Sequence, residues 1–252
     1  MKKTMAILAC CVIGLSACGG GSGDKSTAKS TEKNTEKSGS NQSALNQDGV
    51  KFAKMFFADE ITRSIDADTS RIPQSEAFNL IKIHGRVSSE SLSKSYSDNE
   101  QAADGKYKNK TMIVSGKVRS VSKDSSDTPY LQLNGDGMMK MVNAYFDRKN
   151  AGELPKISVN QSVNLVCDVK NYMIGQVVLK ECKTLSPYAK EKITALTNSV
   201  PDVLSGQKTI AKESDNAIKL GYAISAKLPK TSTCWSNIRD KKCEEDMKNI
   251  PK

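Results

Sequence analysis

An α+β fold, a small barrel of five β-strands flanked by N- and C-terminal helices, is predicted by three features of this chain. Residues 106–185 hold five short runs of β-branched and aromatic residues separated by Gly, Asp, Asn and Pro turns. Residues 50–66 and two stretches beyond Ser186 carry apolar groups at helical spacing instead. Cys167, Cys182, Cys234 and Cys243 fall as two local pairs, one inside the strand region and one at the C-terminal end.

The chain opens with Lys2 and Lys3, an apolar run from Met5 to Leu15, and then Leu15-Ser16-Ala17-Cys18. This resembles a bacterial lipoprotein export signal, cut before a cysteine that becomes lipid-modified. The apolar run falls well short of the ~20 residues that span a bilayer, so residues 1–17 are read as a processing segment. Cys18 is the expected lipidation site; a buried cysteine in an uncleaved helix is the alternative. Each buried acyl CH₂ contributes roughly 0.8 kcal/mol, so two or more chains hold firmly. Gly19 stands where an inner-membrane retention signal has Asp. That points to the outer membrane, facing the periplasm or the surface.

Residues 18–47 comprise the lipid site and a stretch of Gly, Ser, Thr, Lys, Glu and Asn with almost no apolar side chain. Such a sequence cannot offset its ordering entropy and is expected to be a disordered tether, reaching roughly 30 Å. Residues 48–105 are expected to be helical. Apolar groups at positions 52, 53, 55, 56, 57, 61 and 65 suit a helix packed on something larger, with a membrane-lying helix as the alternative. Ser88 or Ser89 can cap a second helix carrying Leu92 and Tyr96.

The strands follow. Thr111 to Val121 is long, with Gly116 where a barrel strand must bend. Residues 130–133, 141–146, 162–169 and 176–182 supply the other four. The third and fourth are separated by about fourteen residues, the spacing of an OB-type Greek-key barrel; a generic antiparallel sandwich is the alternative. Cys167 and Cys182 would face one another across the last hairpin. The segment 186–252 starts with Ser186-Pro187 at a helix N-terminus, breaks near Pro201, resumes from Ile210 to Leu228 and ends in a stapled loop or short helix. Trp235 is expected to be a packing anchor there.

The stretch Leu92…Tyr96…Asn99-Glu100…Ala103-Asp104…Lys106-Tyr107-Lys108-Asn109-Lys110, with Val114-Ser115-Gly116-Lys117-Val118, resembles the bacterial tRNA_anti-like OB-fold family. So do Gln161-Ser162-Val163…Cys167 and Val178-Leu179-Lys180-Glu181-Cys182. The resemblance covers about residues 88–185, leaving out the N-terminal helix and the last 67 residues. It implies an exported or lipid-anchored protein with an OB barrel. It transfers no catalytic residue, and the family's name records a barrel shape, not demonstrated tRNA binding.

Four cysteines in an exported chain allow three disulfide pairings. Sequence proximity favours Cys167–Cys182 and Cys234–Cys243; a zinc site is opposed by the spacing and by the distance of His84, the only histidine. No nucleophile elbow, phosphate-binding loop or zinc-protease helix is present. The carboxylate pairs Asp124/Asp127 and Glu244/Glu245 read as solvated. No catalytic residue, cofactor or metal is expected.

Removing residues 1–17 lowers the formal charge from +10 to +8, with lysine far outnumbering arginine. That surface is soluble and only weakly attractive to anions. Period-two alternation turns Met112, Val114, Val118, Leu131, Leu133, Val142, Ala144 and Phe146 inward. It turns Ile113, Ser115, Lys117, Arg119, Tyr130, Gln132, Asn143 and Tyr145 outward. Lys117, Arg119, Tyr130, Gln132 and Tyr145 form the candidate binding face. Its composition suits single-stranded nucleic acid, and equally a protein or glycan. An envelope protein meets little nucleic acid, so the expected partners are the membrane, through the lipid, and an envelope protein or polymer. The expected function is a non-catalytic envelope interaction module. A nucleic-acid binder, or a protective lipoprotein that excludes an incoming toxin, phage or plasmid, is the alternative.

Overall fold

The computed structural model describes residues 45–250. The predicted signal, Cys18 and most of the tether lie outside them. The first helix, α1 (Gln47–Ile65), begins where Asn46 Oδ1 accepts the backbone N–H groups of Asp48 and Gly49. Of the predicted stripe, Phe52, Ala53, Phe56, Phe57, Ile61 and Ile65 are buried, and Met55 is half-buried at its margin. A short α2 (Gln74–Leu80) leads to β1 (Arg86–Ser88), and Ser88 caps α3 (Ser89–Asp98) by accepting from the Ser91 N–H. Asn99 caps α4 (Glu100–Tyr107) in the same way.

The barrel comprises β2 (Thr111–Lys123), β3 (Pro129–Gly135), β4 (Gly137–Tyr145), β5 (Ser162–Met173) and β6 (Gln176–Thr184). A 3₁₀ segment, Arg148–Lys156, fills the β4–β5 connection. The pairing order β2-β3-β4-β6-β5 closes because β5 also pairs with β2, and β4 and β6 run parallel. Five strands in a ring are the OB barrel, and closure rules out the open sandwich. A sixth strand, β1, lies parallel to β2 along Ile113–Ser115. At three residues it was too short to carry a period-two signal.

Gly116 matters for a second reason besides the bend. Residues 111–117 of β2 pair with β5 and residues 118–123 with β3, so the strand changes partner here. A Cβ on Gly116 would lie 2.5 Å from Ser89 Oγ and 3.1 Å from Leu133 Cδ1. The bare backbone admits the first turn of α3, whose Ser89 hydroxyl donates to the Asn134 carbonyl at 2.6 Å. Leu92 and Tyr96 of α3 then close that end of the barrel core, while Phe146 and Leu154 close the other. Gly116→Val is expected to cost about 1–3 kcal/mol through overpacking, read as a lower denaturant midpoint.

Past β6 the chain forms α5 (Leu185–Thr197), α6 (Val200–Leu204), α7 (Lys212–Ser225), a 3₁₀ turn (Thr233–Trp235) and α8 (Lys241–Lys248). Pro187 sits inside the first turn of α5 and Pro201 opens α6, so the expected break is the start of a short helix. With α1 and α2 these helices bury a second core that includes Ile113 and Val166 from the barrel wall. Ile113 was expected at the solvent face and is fully buried. The outward phase is correct, but the helices cover the barrel where β2 meets β5.

Cys167–Cys182 joins β5 to β6 and Cys234–Cys243 staples the C-terminal end, as sequence proximity favoured. Trp235 Nε1 donates to the Pro229 carbonyl at 2.8 Å, and its ring meets Phe52 edge-on at 5.7 Å. It is a packing anchor. His84 is exposed, and its backbone N–H donates to the Thr111 carbonyl.

Candidate binding face

Leu131 and Leu133 of β3, Val142 and Ala144 of β4, and Val177 and Leu179 of β6 all point into the barrel. The residues between them therefore share the outer face of three neighbouring strands. Tyr130 pairs with Tyr145, and their rings stack at 5.0 Å with 26° between planes. Burial, then the adjacent Tyr130 and Asp124, pushes the Tyr145 hydroxyl pKa up. It stays a neutral donor at physiological pH. One step along, Gln132 pairs with Asn143, which pairs with Val178.

Three amides join across the strands. Gln132 Nε2 donates to Asn143 Oδ1 at 3.3 Å, and Asn143 Nδ2 donates to Gln176 Oε1 at 2.6 Å. Asn143 is 7% exposed, so this polar side chain is held between its two partners beneath the surface. Gln132 Oε1 and Gln176 Nε2 carry no hydrogen bond among the described residues. The chain of amides thus has an accepting end and a donating end, about 10 Å apart at ordinary strand spacing. Such chains polarise one another, which strengthens both ends.

The structure brings Tyr130, Gln132 and Tyr145 together as predicted in position, but separates the two cations from them. Arg119 lies in a bulge between Val118 and Ser120, and its guanidinium donates to the Met138 carbonyl at 2.7 Å. Lys117 is exposed opposite Ser162 on the β5 side. In their place Lys180 comes level with Tyr145, because it follows Leu179, the partner of Ala144. A cleft lined by Val121, Ser122, Pro129, Arg148 and Leu154 opens beside the tyrosine end. Asp124 accepts from the Ser126 and Thr128 N–H groups of its own loop, which lowers its pKa and makes it a turn residue. Among the described residues no group of three His, Cys, Asp or Glu could hold a metal ion, and no helix is long and apolar enough to cross a membrane.

The model of the tRNA_anti-like family matches residues 1–183. The chain belongs to the tRNA_anti-like family. The match runs from the N-terminus almost to the end of β6, so the family likeness takes in α1 as well as the barrel, more than the sequence motifs implied. The helices from Leu185 onward lie outside it. No curated protein matches the chain significantly. Among solved structures, a candidate nucleic acid-binding lipoprotein from Klebsiella pneumoniae subsp. pneumoniae is similar at 14% identity, over 40% of this chain and 92% of that one, with a TM-score of 0.34.

Gln176 and Lys180 are the face residues that alternation did not find in this tRNA_anti-like chain. Both depend on the parallel pairing of β4 with β6. That pairing joins strands about thirty residues apart, and no local pattern encodes it.

Proposed function

We propose that this chain is a non-catalytic binding module of the bacterial cell envelope, anchored through lipidated Cys18, whose β3–β4–β6 face holds a hydroxyl-rich envelope polymer. The observation that carries this is the amide chain Gln132–Asn143–Gln176 beside the stacked Tyr130–Tyr145 pair. An accepting end and a donating end suit hydroxyls, which do both; a phosphodiester oxygen only accepts. Tyrosine rings offer the flat apolar surface that the carbon face of a sugar can cover. Faces of this kind on OB barrels serve oligosaccharides as well as oligonucleotides.

Nucleic acid is the second reading, favoured by Lys180 beside Tyr145 and by Arg148 at the neighbouring cleft. Titrating purified envelope polysaccharide and a single-stranded oligonucleotide against salt separates the two. Polymer binding should change little as salt rises, and Gln132→Leu with Gln176→Leu should weaken it by about tenfold or more, since unpaired polar groups on the ligand are costly. Oligonucleotide binding that falls steeply with salt, without polysaccharide binding, would replace the first reading with the second.

A further inference from the structure

Four of the seven exposed large apolar side chains among the described residues sit at one end of the barrel. Met138 and Met139, 86% and 83% exposed, follow the β3–β4 turn; Met173, 56% exposed, ends β5, and Ile174, 95% exposed, opens the β5–β6 turn. The two turns point the same way, because β4 and β6 run parallel with Met141 beside Gln176. At such exposures the side chains project from the surface and line no groove.

Ile174 is also strained. Its φ is +51° and that of Gly175 is +74°, so the two-residue turn has both central residues left-handed. Asn or Gly suits such a position, and a β-branched residue there is an outlier. Exposed as it is, Ile174 recovers none of this by packing among the described residues.

We infer that the two hairpin tips enter the interfacial layer of the bilayer that carries the anchor, setting the barrel on the membrane with its β3–β4–β6 face standing beside the surface. The four exposed tip side chains are aliphatic or thioether groups, which partition into a fluid apolar phase without a shaped pocket to receive them. Around the first tip Arg119, Lys140 and Lys94 stand against Asp136 and Asp98, a net positive balance that suits anionic headgroups. Resting on the lipidated Cys18 reading, the sequence between Cys18 and Asn46 would hold Asn46, and with it the folded part, roughly 30 Å from the surface on average, close enough for the tips to reach it.

The test uses the mature chain with Cys18→Ser, which removes the lipid and keeps everything else. It is sedimented with vesicles of phosphatidylcholine, with and without phosphatidylglycerol. We expect co-sedimentation that Ile174→Asn weakens by about tenfold, the scale of one aliphatic side chain leaving an apolar phase. The melting temperature of that variant should hold or rise, since Asn suits the left-handed turn. Met138→Ser with Met139→Ser should weaken binding at least as much, and Val159→Ser, at the far end of β5, should leave it unchanged. Absence of co-sedimentation, or equal co-sedimentation of parent and Ile174→Asn, overturns the inference. So does a vesicle-free dimer that Ile174→Asn abolishes. Acyl labelling of Cys18 in the unaltered protein is scored separately. An unlabelled cysteine with tip-dependent vesicle binding would remove the anchor and leave the inference standing.

Discussion

Phe57→Ala is expected to destabilise the protein by about 3–5 kcal/mol, the cost of emptying a phenylalanine site that cannot collapse. Phe57 is fully buried in the core that α1 shares with α5, α7 and the barrel wall. The helices around it have little room to close in. A Cβ on Gly221 of α7 would already lie 3.0 Å from Phe56 Cβ, and one on Gly49 of α1 would lie 2.8 Å from Tyr222 Cε2. The α1–α7 contact is already at its closest approach at these two glycines, so α7 cannot move in to fill a void made on α1. Urea unfolding should show a lower midpoint at unchanged slope. Phe57→Leu should cost markedly less, because most of the volume is kept. A loss under about 1 kcal/mol for the alanine variant would mean that the helical layer repacks freely and is no rigid support for the barrel wall.

Removing the barrel disulfide is the second large effect. Cys167 and Cys182 are 1% and 0% exposed and lie fifteen residues apart in sequence. Closing a loop of that size contributes roughly 3 kcal/mol in the chain-entropy model. Cys167→Ala with Cys182→Ala keeps the site apolar, where serines would bury new hydroxyls. For a chain of this size the loss should lower the melting temperature by about 6–12 °C. The Cys234–Cys243 pair spans nine residues, so alanines there should cost less by the same reasoning. A larger loss at Cys234–Cys243 than at Cys167–Cys182 would show that native packing around the sulfurs, and not loop closure, sets the effect.

In α1 and in the first three barrel strands, β2, β3 and β4, type and phase were legible from spacing. The stripe of α1 and the alternation of β3 and β4 were read from spacing alone, and Ser88 announced the start of α3. What failed were facts about partners. Ile113 points outward as alternation requires, yet helices from the far end of the chain cover it. Gly116 read as a bend, but the close passage of Ser89 depends on where α3 docks. The face followed the same rule. Tyr130 and Tyr145 were found because alternation turns both outward. Asn143 faces out as expected, but its place between two amides needs Gln176, which parallel pairing supplies. Arg119 was placed on the right strand, but a one-residue bulge at that point sends its guanidinium to the hairpin tip. Charge on that face comes from Lys180 instead.

A photoreactive amino acid in place of Tyr145, irradiated in living cells, would report what the β3–β4–β6 face touches. The same probe in place of Ser38, within the predicted tether, is the control. Polymer-sized adducts at position 145 that glycosidases shorten, and that are absent at position 38, are the outcome expected of a polymer-binding face. Nuclease-sensitive adducts, or none above the control, would contradict it.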